Sequence, residues 1–286
     1  MDYTVQELVT LAGDGPLSAV AIQLQSQESG FDADTLRAKM ANHLQMMKDS
    51  VQEGLNPNLR SVSGLTGGQA AKLKAYQARA PRCGSLLGKA TAYALAVAEY
   101  NACMGKIVAA PTAGACGILP GALIALQEEK QLSDDQLVDA LFTAAAIGQA
   151  IAFQSSISGA EGGCQAECGS ASAMAAAALV ELMGGTAAMA ASACAFVLMN
   201  VLGLVCDPAG GLVEVPCVYR NVGGVGTAFT AADMVLAGLV SPIPADEMIV
   251  AMKEVGDALP ASLRETGEGG CAACPSMRKC FPQFNQ

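Results

Sequence analysis

The chain has 286 residues and a net charge of −10, with only 15% of its residues charged. An acidic protein with no basic stripe repels phosphate backbones, which excludes nucleic acid as a partner. A chain this long can bury a large core in one domain, and a surface so poor in charge tends to associate with another protein.

Aromatic residues make up 4% of the chain and tryptophan is absent, while alanine, glycine and leucine dominate. Small side chains let helix backbones approach closely. The expected fold is all-α: a single large helical domain over residues 1–286, with a buried, Ala/Gly-rich central helix. In chain order, residues 1–55 read as an amphipathic helical segment. Thr4 or Asp2 would cap a first helix, and Asp32 or Asp34 a second that Gly54 ends. RSVSGLTGGQAAKLKAY is a glycine loop entering a helix. CGSLLGKATAYALAVAEYNACMG has helical spacing, APTAGACGILPG is a break, and ALIALQEEK is helical again. Ser133 caps SDDQLVDALFTAAAIGQAIAFQ. The tail over 261–286 reads as irregular and cysteine-rich.

Two features of the second half stand out. No lysine or arginine occurs between Gln131 and Tyr219, and Leu182 to Cys206 is uncharged. A membrane span is the rival reading of that stretch, but Gly184, Gly185, Ser192 and Asn200 interrupt it and no basic flank anchors it. A helix apolar all round more often lies at the centre of a helical protein. The opening MDYTVQELVTLAGDG is acidic and amphipathic, unlike a secretory leader. The expectation is therefore a cytoplasmic chain without a membrane partner.

Eleven cysteines are an odd set for a disulfide framework, and in a reducing compartment they point to metal or redox chemistry. Cys164, Cys206 and Cys217 have glycine, proline or acidic neighbours, in GAEGGCQAEC, GLVCDP and VEVPCVYRN. Three thiolates leave one corner of a four-iron cluster open to a substrate hydroxyl. Pro208 and Pro216 stiffen two of these segments, and Gly162, Gly163, Gly210 and Gly211 permit close backbone approach. Cys168, four residues after Cys164, is the main rival ligand, and the tail offers Cys271, Cys274 and Cys280. Cys83, Cys103, Cys116 and Cys194 read as buried structural thiols. Spacing alone leaves these alternatives open.

GAEGGCQAECGSASAMAAA, GLVCDPAGGLVEVPCVYRN, CGSLLGKATAYALAVAEYNACMGKIVAAPTAGACG and SGLTGGQAAKLKAY together resemble the α chain of iron–sulfur-dependent L-serine dehydratase. The resemblance runs from about Met40 to Gly270. It implies a [4Fe–4S] cluster held by Cys164, Cys206 and Cys217, with Cys168 outside the ligand set and Cys280 as a resting-state fourth ligand. It implies conversion of L-serine to pyruvate and ammonia, a route of amino-acid degradation, with the open iron as Lewis acid for the departing hydroxyl. No pyridoxal phosphate is required, and Lys72, Lys74, Lys89 and Lys106 are not assigned as Schiff-base residues.

The same resemblance places the substrate between two glycine loops. Ser63, Thr66, Gly67 and Gly68 lie on one, Pro111 and Thr112 on the other, with Ser158 and Asn221 near the cluster segments. Backbone N–H groups at a helix N-terminus would receive the serine carboxylate. No catalytic residue is assigned. His43, the one histidine, sits mid-helix, and the family's serine-histidine-threonine motif is absent here. The base is expected from a separate β chain, in an αβ or higher oligomer. The rival readings are a related cluster-dependent lyase acting on cysteine and a non-catalytic iron–sulfur scaffold.

Overall fold

The structure, a computed structural model, describes residues 2–79 and 82–281. Among them there is no β-sheet. The one strand-like feature is an isolated bridge between Cys206 and Arg264.

The N-terminal segment is three helices rather than two: α1 (Val5–Ala12), α2 (Leu17–Ser29) and α3 (Ala33–Gly54). Thr4 caps α1 in a reciprocal box with Glu7, and Asp32 caps α3 by accepting from the Thr35 N–H. The additional break falls at Gly13–Pro16, where Gly13 adopts φ 52° and Pro16 caps α2 without a side-chain hydrogen bond. Then come α4 (Gln69–Gln77), α5 (Ser85–Ala102), α6 (Ile118–Lys130) and α7 (Asp134–Gln154). Ser133 caps α7 through Gln136. The second half holds α8 (Gly159–Gly162), a π turn (Gln165–Gly169), α9 (Ser170–Leu182), α10 (Ala187–Val201), α11 (Cys217–Leu236), α12 (Ala245–Ala258) and α13 (Pro275–Cys280).

The centre of the molecule is α9, buried from Ser170 through Val180 and packed against α7, α10, α11 and α6. Its alanines give it little side-chain volume, so its neighbours come close. The same economy operates between α5 and α6. A Cβ on Gly121 would stand 2.8 Å from the Ala94 backbone nitrogen, a distance only glycine permits.

The uncharged stretch from Leu182 to Cys206 is not one helix. It breaks at Gly184 and Gly185, where α9 stops and α10 begins after the Thr186 cap. Among the described residues, the helix long and apolar enough to cross a membrane is instead α7, and 67% of its apolar window is buried against the rest of the protein. Three 3₁₀ or α turns follow Pro260, and the tail through Phe281 folds back onto the segment after Cys206. Residues 282–286 of the expected tail lie outside the described residues.

Candidate functional site

Cys164, Cys168, Cys206 and Cys217 are all buried. Cys164 ends the link between α8 and the π turn, Cys168 lies inside that turn, Cys206 follows α10, and Cys217 is the first residue of α11. Three separate segments thus deliver four thiols to one interior region, Cys164 and Cys168 sharing the first. Of the cysteines expected to be structural, Cys116 and Cys194 are buried, but Cys83 is exposed and Cys103 half-buried. Cys83 sits in the turn just before α5.

The sulfurs are electrostatically unequal. Cys164 and Cys168 Sγ atoms are 3.4 Å apart. Hydrogen bonds from Cys168 and Cys206, with the Arg220 guanidinium, hold Cys164 well below the usual thiol range. Cys206 is raised, because it donates to Cys164 and is buried. Cys168 is raised well above the ordinary value by the same bond and by burial. Burial, reinforced by the charge on Cys164, pushes Cys217 up to about 12. The shifts thus run in opposite directions, with Cys164 lowered by its two thiol donors and the other three raised, because adjacent negative charges in a buried site repel one another.

Arg220, on α11, supplies the nearest positive charge. Its Nη2 lies 2.6 Å from Asp207 Oδ1, and its Nη1 donates to the Val205 carbonyl at 2.6 Å. Burial opposes its charge, but Cys164 and Asp207 outweigh that and hold it firmly protonated. Asp207 also accepts the Cys271 N–H at 2.6 Å. The Cys206 backbone is gripped by the same tail: its N–H donates to the Leu263 carbonyl at 2.9 Å, and its carbonyl accepts from the Glu265 N–H at 2.7 Å. Cys274 and Cys280, farther along the tail, are exposed, and Cys271 is half-buried.

Glu167 is a carboxylate that the sequence reading did not single out. It lies between Cys164 and Cys168 in sequence, and Cys206 Sγ stands 3.8 Å from its Oε2. Burial, with the charge on Cys164, raises it to about 7. Room for it is made by glycine. A Cβ on Gly159 would meet Glu167 Oε2 at 2.5 Å and Cys206 Sγ at 2.8 Å.

The glycine loop before α4 is held by two buried glutamates. Glu99, fully buried on α5, accepts from the N–H groups of Gly67 (2.9 Å), Gln69 (3.2 Å) and Ala70 (2.9 Å). Glu214, three residues before Cys217, accepts from the hydroxyls of Ser61, Ser63 and Thr66 and from the Thr66 N–H. The N-terminus of α4, expected to offer free N–H groups to a substrate carboxylate, is thus occupied by a carboxylate of the chain itself. Periodicity could not reveal this, because Glu99 reads from sequence as one more residue of a helix.

The other expected substrate residues separate by what they already bind. Asn221 is fully buried and committed to the backbone. Its Oδ1 accepts the Gly117 N–H at 2.8 Å, and its Nδ2 donates to the carbonyls of Gly114 (2.7 Å) and Cys217 (2.9 Å). It ties the Pro111–Gly117 segment to the start of α11. Ser158 precedes α8 and gives it no side-chain cap. Thr112 differs: its hydroxyl is buried, makes no bond to the backbone, and faces Glu167, whose charged form it favours. Pro111 is half-buried beside it. His43 is exposed on α3. Among the described residues, no three His, Cys, Asp or Glu side chains are grouped to hold a single metal ion.

Comparison with known proteins gives the family of the chain. The family described as "Serine dehydratase alpha chain" matches residues 14–272. The chain is 47% identical over 282 residues to "Probable L-serine dehydratase, alpha chain" of Bacillus subtilis, covering 98% of this chain and 94% of that one. It is 41% identical over 284 residues to "L-serine dehydratase, alpha chain" of Peptoniphilus asaccharolyticus, covering 98% and 97%. It is 37% identical over 273 residues to "L-serine dehydratase" of Streptomyces coelicolor, spanning 94% of this chain but 60% of that longer protein. By the extent and identity of these matches, the chain belongs to the serine dehydratase alpha chain family.

Proposed function

We propose that the chain is the α subunit of a cytoplasmic L-serine ammonia-lyase that converts L-serine to pyruvate and ammonia together with a separate β chain. The observation that carries this reading is the joint burial of Cys164, Cys206 and Cys217, with the Arg220 guanidinium beside Cys164, in a chain of the serine dehydratase alpha family. Sulfur donors arriving from separate segments, backed by a fixed positive charge, suit a [4Fe–4S] cluster better than a single ion. Cys164, Cys206 and Cys217 would hold it, on glycine-rich segments that converge from around the central helix. When bound, such a cluster supplies a Lewis-acidic iron for the departing β-hydroxyl.

The chain's own residues do the rest of the positioning. Arg220 offsets thiolate charge and joins the Cys206 segment to the helix that Cys217 begins. Glu214 and Glu99 fix the loop carrying Ser63, Thr66, Gly67 and Gly68, so that loop acts as a wall rather than as a set of free donors. Asn221 sets the height of the Pro111–Thr112 wall. Thr112 presents a buried hydroxyl beside Glu167, placed to bind substrate. Glu167 lies beside it with its carboxyl poised near neutrality. The base comes from the β chain. The 60% coverage of the Streptomyces coelicolor protein leaves length there for a second region of this kind.

The test is anaerobic purification of the chain with a β partner, followed by pyruvate assay and by iron and sulfide determination. About four irons per α chain, lost with Cys206→Ser together with serine turnover, support the reading. An active preparation free of iron and sulfide overturns it.

A further inference from the structure

We propose that Cys164 and Cys168 are a redox modification site that closes to a disulfide when the cluster-free chain meets a peroxide. The two sulfurs are 3.4 Å apart, both free and both buried. A disulfide bond is about 2.05 Å long, so the sulfurs need to close by little more than an ångström. No large backbone movement has to bring them together.

Three observations favour this pair over the other thiols. The residues between them form a π turn, not a regular helical one, and such turns are a local departure from the ladder that fixes helical side chains. The Cys168 sulfur makes no other hydrogen bond among the described residues, so nothing has to be broken to release it. Cys206, the other neighbour of Cys164, is anchored through its backbone to Leu263 and Glu265 and faces Glu167. The sulfurs are buried, but the chain around them reaches the surface: Ala160 and Glu161 are exposed and Glu167 is only partly covered. A molecule as small as hydrogen peroxide needs only a modest local opening to reach them.

The chemistry balances with peroxide as oxidant. The Cys164 sulfur attacks one peroxide oxygen, the O–O bond breaks, and a sulfenic acid and one water result. The Cys168 sulfur then attacks the sulfenyl sulfur, the S–O bond breaks, a second water leaves with the thiol proton, and the S–S bond forms. Two thiols are oxidised and one peroxide is reduced to two waters. The oxidation itself does not depend on the proposed cluster, but its consequence does. Closure removes Cys164 as a ligand reversibly and spares it from irreversible sulfinic acid.

Cleavage after glutamate separates the partners, because Glu167 lies between them and Glu161 and Glu181 bound the two peptides. The full chain, reduced and freed of iron, is treated with hydrogen peroxide, alkylated, digested and analysed by mass spectrometry without reduction. The expected result is a Gly162–Glu167 peptide joined to a Cys168–Glu181 peptide, separating on reduction. With Cys168→Ser or Cys168→Ala the joined species disappears and Cys164 is recovered as sulfinic or sulfonic acid. Wild-type peptides recovered apart, or Cys164 joined to the Cys206 peptide, overturn the proposal. Iron uptake separates the two ideas. A joined species whose reduction with dithiothreitol restores iron binding supports both, whereas a joined species in a chain that never binds iron supports the disulfide and defeats the cluster.

Discussion

Arg220 and Asp207 face one another across 2.6 Å with almost no exposed carboxylate, so the helix that starts at Cys217 is ionically tied to the residue after Cys206. Removing one member of a buried pair strands the other. Arg220→Ala should cost about 3–5 kcal/mol of stability. Arg220→Ala combined with Asp207→Asn should cost less than the two single changes added together. Urea denaturation of the four proteins measures the coupling. Additive losses would show that water, and not the pair, satisfies each charge.

Glu167 makes stability depend on pH. Its folded carboxyl titrates at about 7 against an ordinary 4.5. Between those values the folded chain keeps a proton that the unfolded chain has released, so stability falls as pH rises across the window. The loss approaches about 3 kcal/mol once pH exceeds the folded value. Glu167→Gln, in the iron-free chain, should flatten this slope between pH 5 and 8. Denaturation midpoints of the two proteins at several pH values provide the comparison, and parallel curves would remove Glu167 as the cause.

Glu99 should hold the start of α4 directly, through the N–H groups of Gln69 and Ala70. Glu99→Gln keeps the shape of the side chain but sets an NH₂ group against backbone N–H donors. The expected cost is about 1–3 kcal/mol. Amide hydrogen exchange should quicken at Gly67, Gln69 and Ala70 while the amides of α9 stay protected. Unchanged exchange at those three residues would mean that the loop holds its shape without the carboxylate.

Asn221 distinguishes a structural tie from a substrate contact. Asn221→Ala breaks hydrogen bonds to Gly114, Gly117 and Cys217. It should destabilise the chain by about 3 kcal/mol with no substrate present. A variant of native stability whose only defect is a higher KM for serine would instead assign Asn221 to substrate.

Most helices were legible because their signals are local. Thr4, Asp32 and Ser133 are side chains that satisfy orphan N–H groups within three residues, and a reader of sequence sees both partners at once. The break after Gly13 was not legible, because Leu17–Ser29 has apolar and polar residues all round and no side-chain cap. The cysteine segments could be chosen from their neighbours and from family motifs, yet the ties that organise them are long-range. Glu99 reaches Gly67, Glu214 reaches Ser63, and Asp207 reaches Cys271 across 32 to 151 residues of chain, and periodicity within a helix says nothing of such distant partners. Glu167 escaped notice for a different reason. A glutamate in a helical segment is ordinarily solvated, and only the packing of Gly159 and Cys206 around it shows otherwise.

The backbone clasp of the tail on Cys206 has an evolutionary consequence. Because Leu263 and Glu265 hold that residue through main-chain atoms, the identities of their side chains are open to drift. The number of residues between them and Cys271 is not, since Asp207 must still meet the Cys271 N–H. Relatives should tolerate substitutions at residues 263, 264, 266 and 268 while resisting insertions and deletions there and keeping Gly267, Gly269 and Gly270, since a Cβ on Gly270 would collide with Asp207 Oδ2. The tail would diverge in spelling between fixed glycines but keep its length.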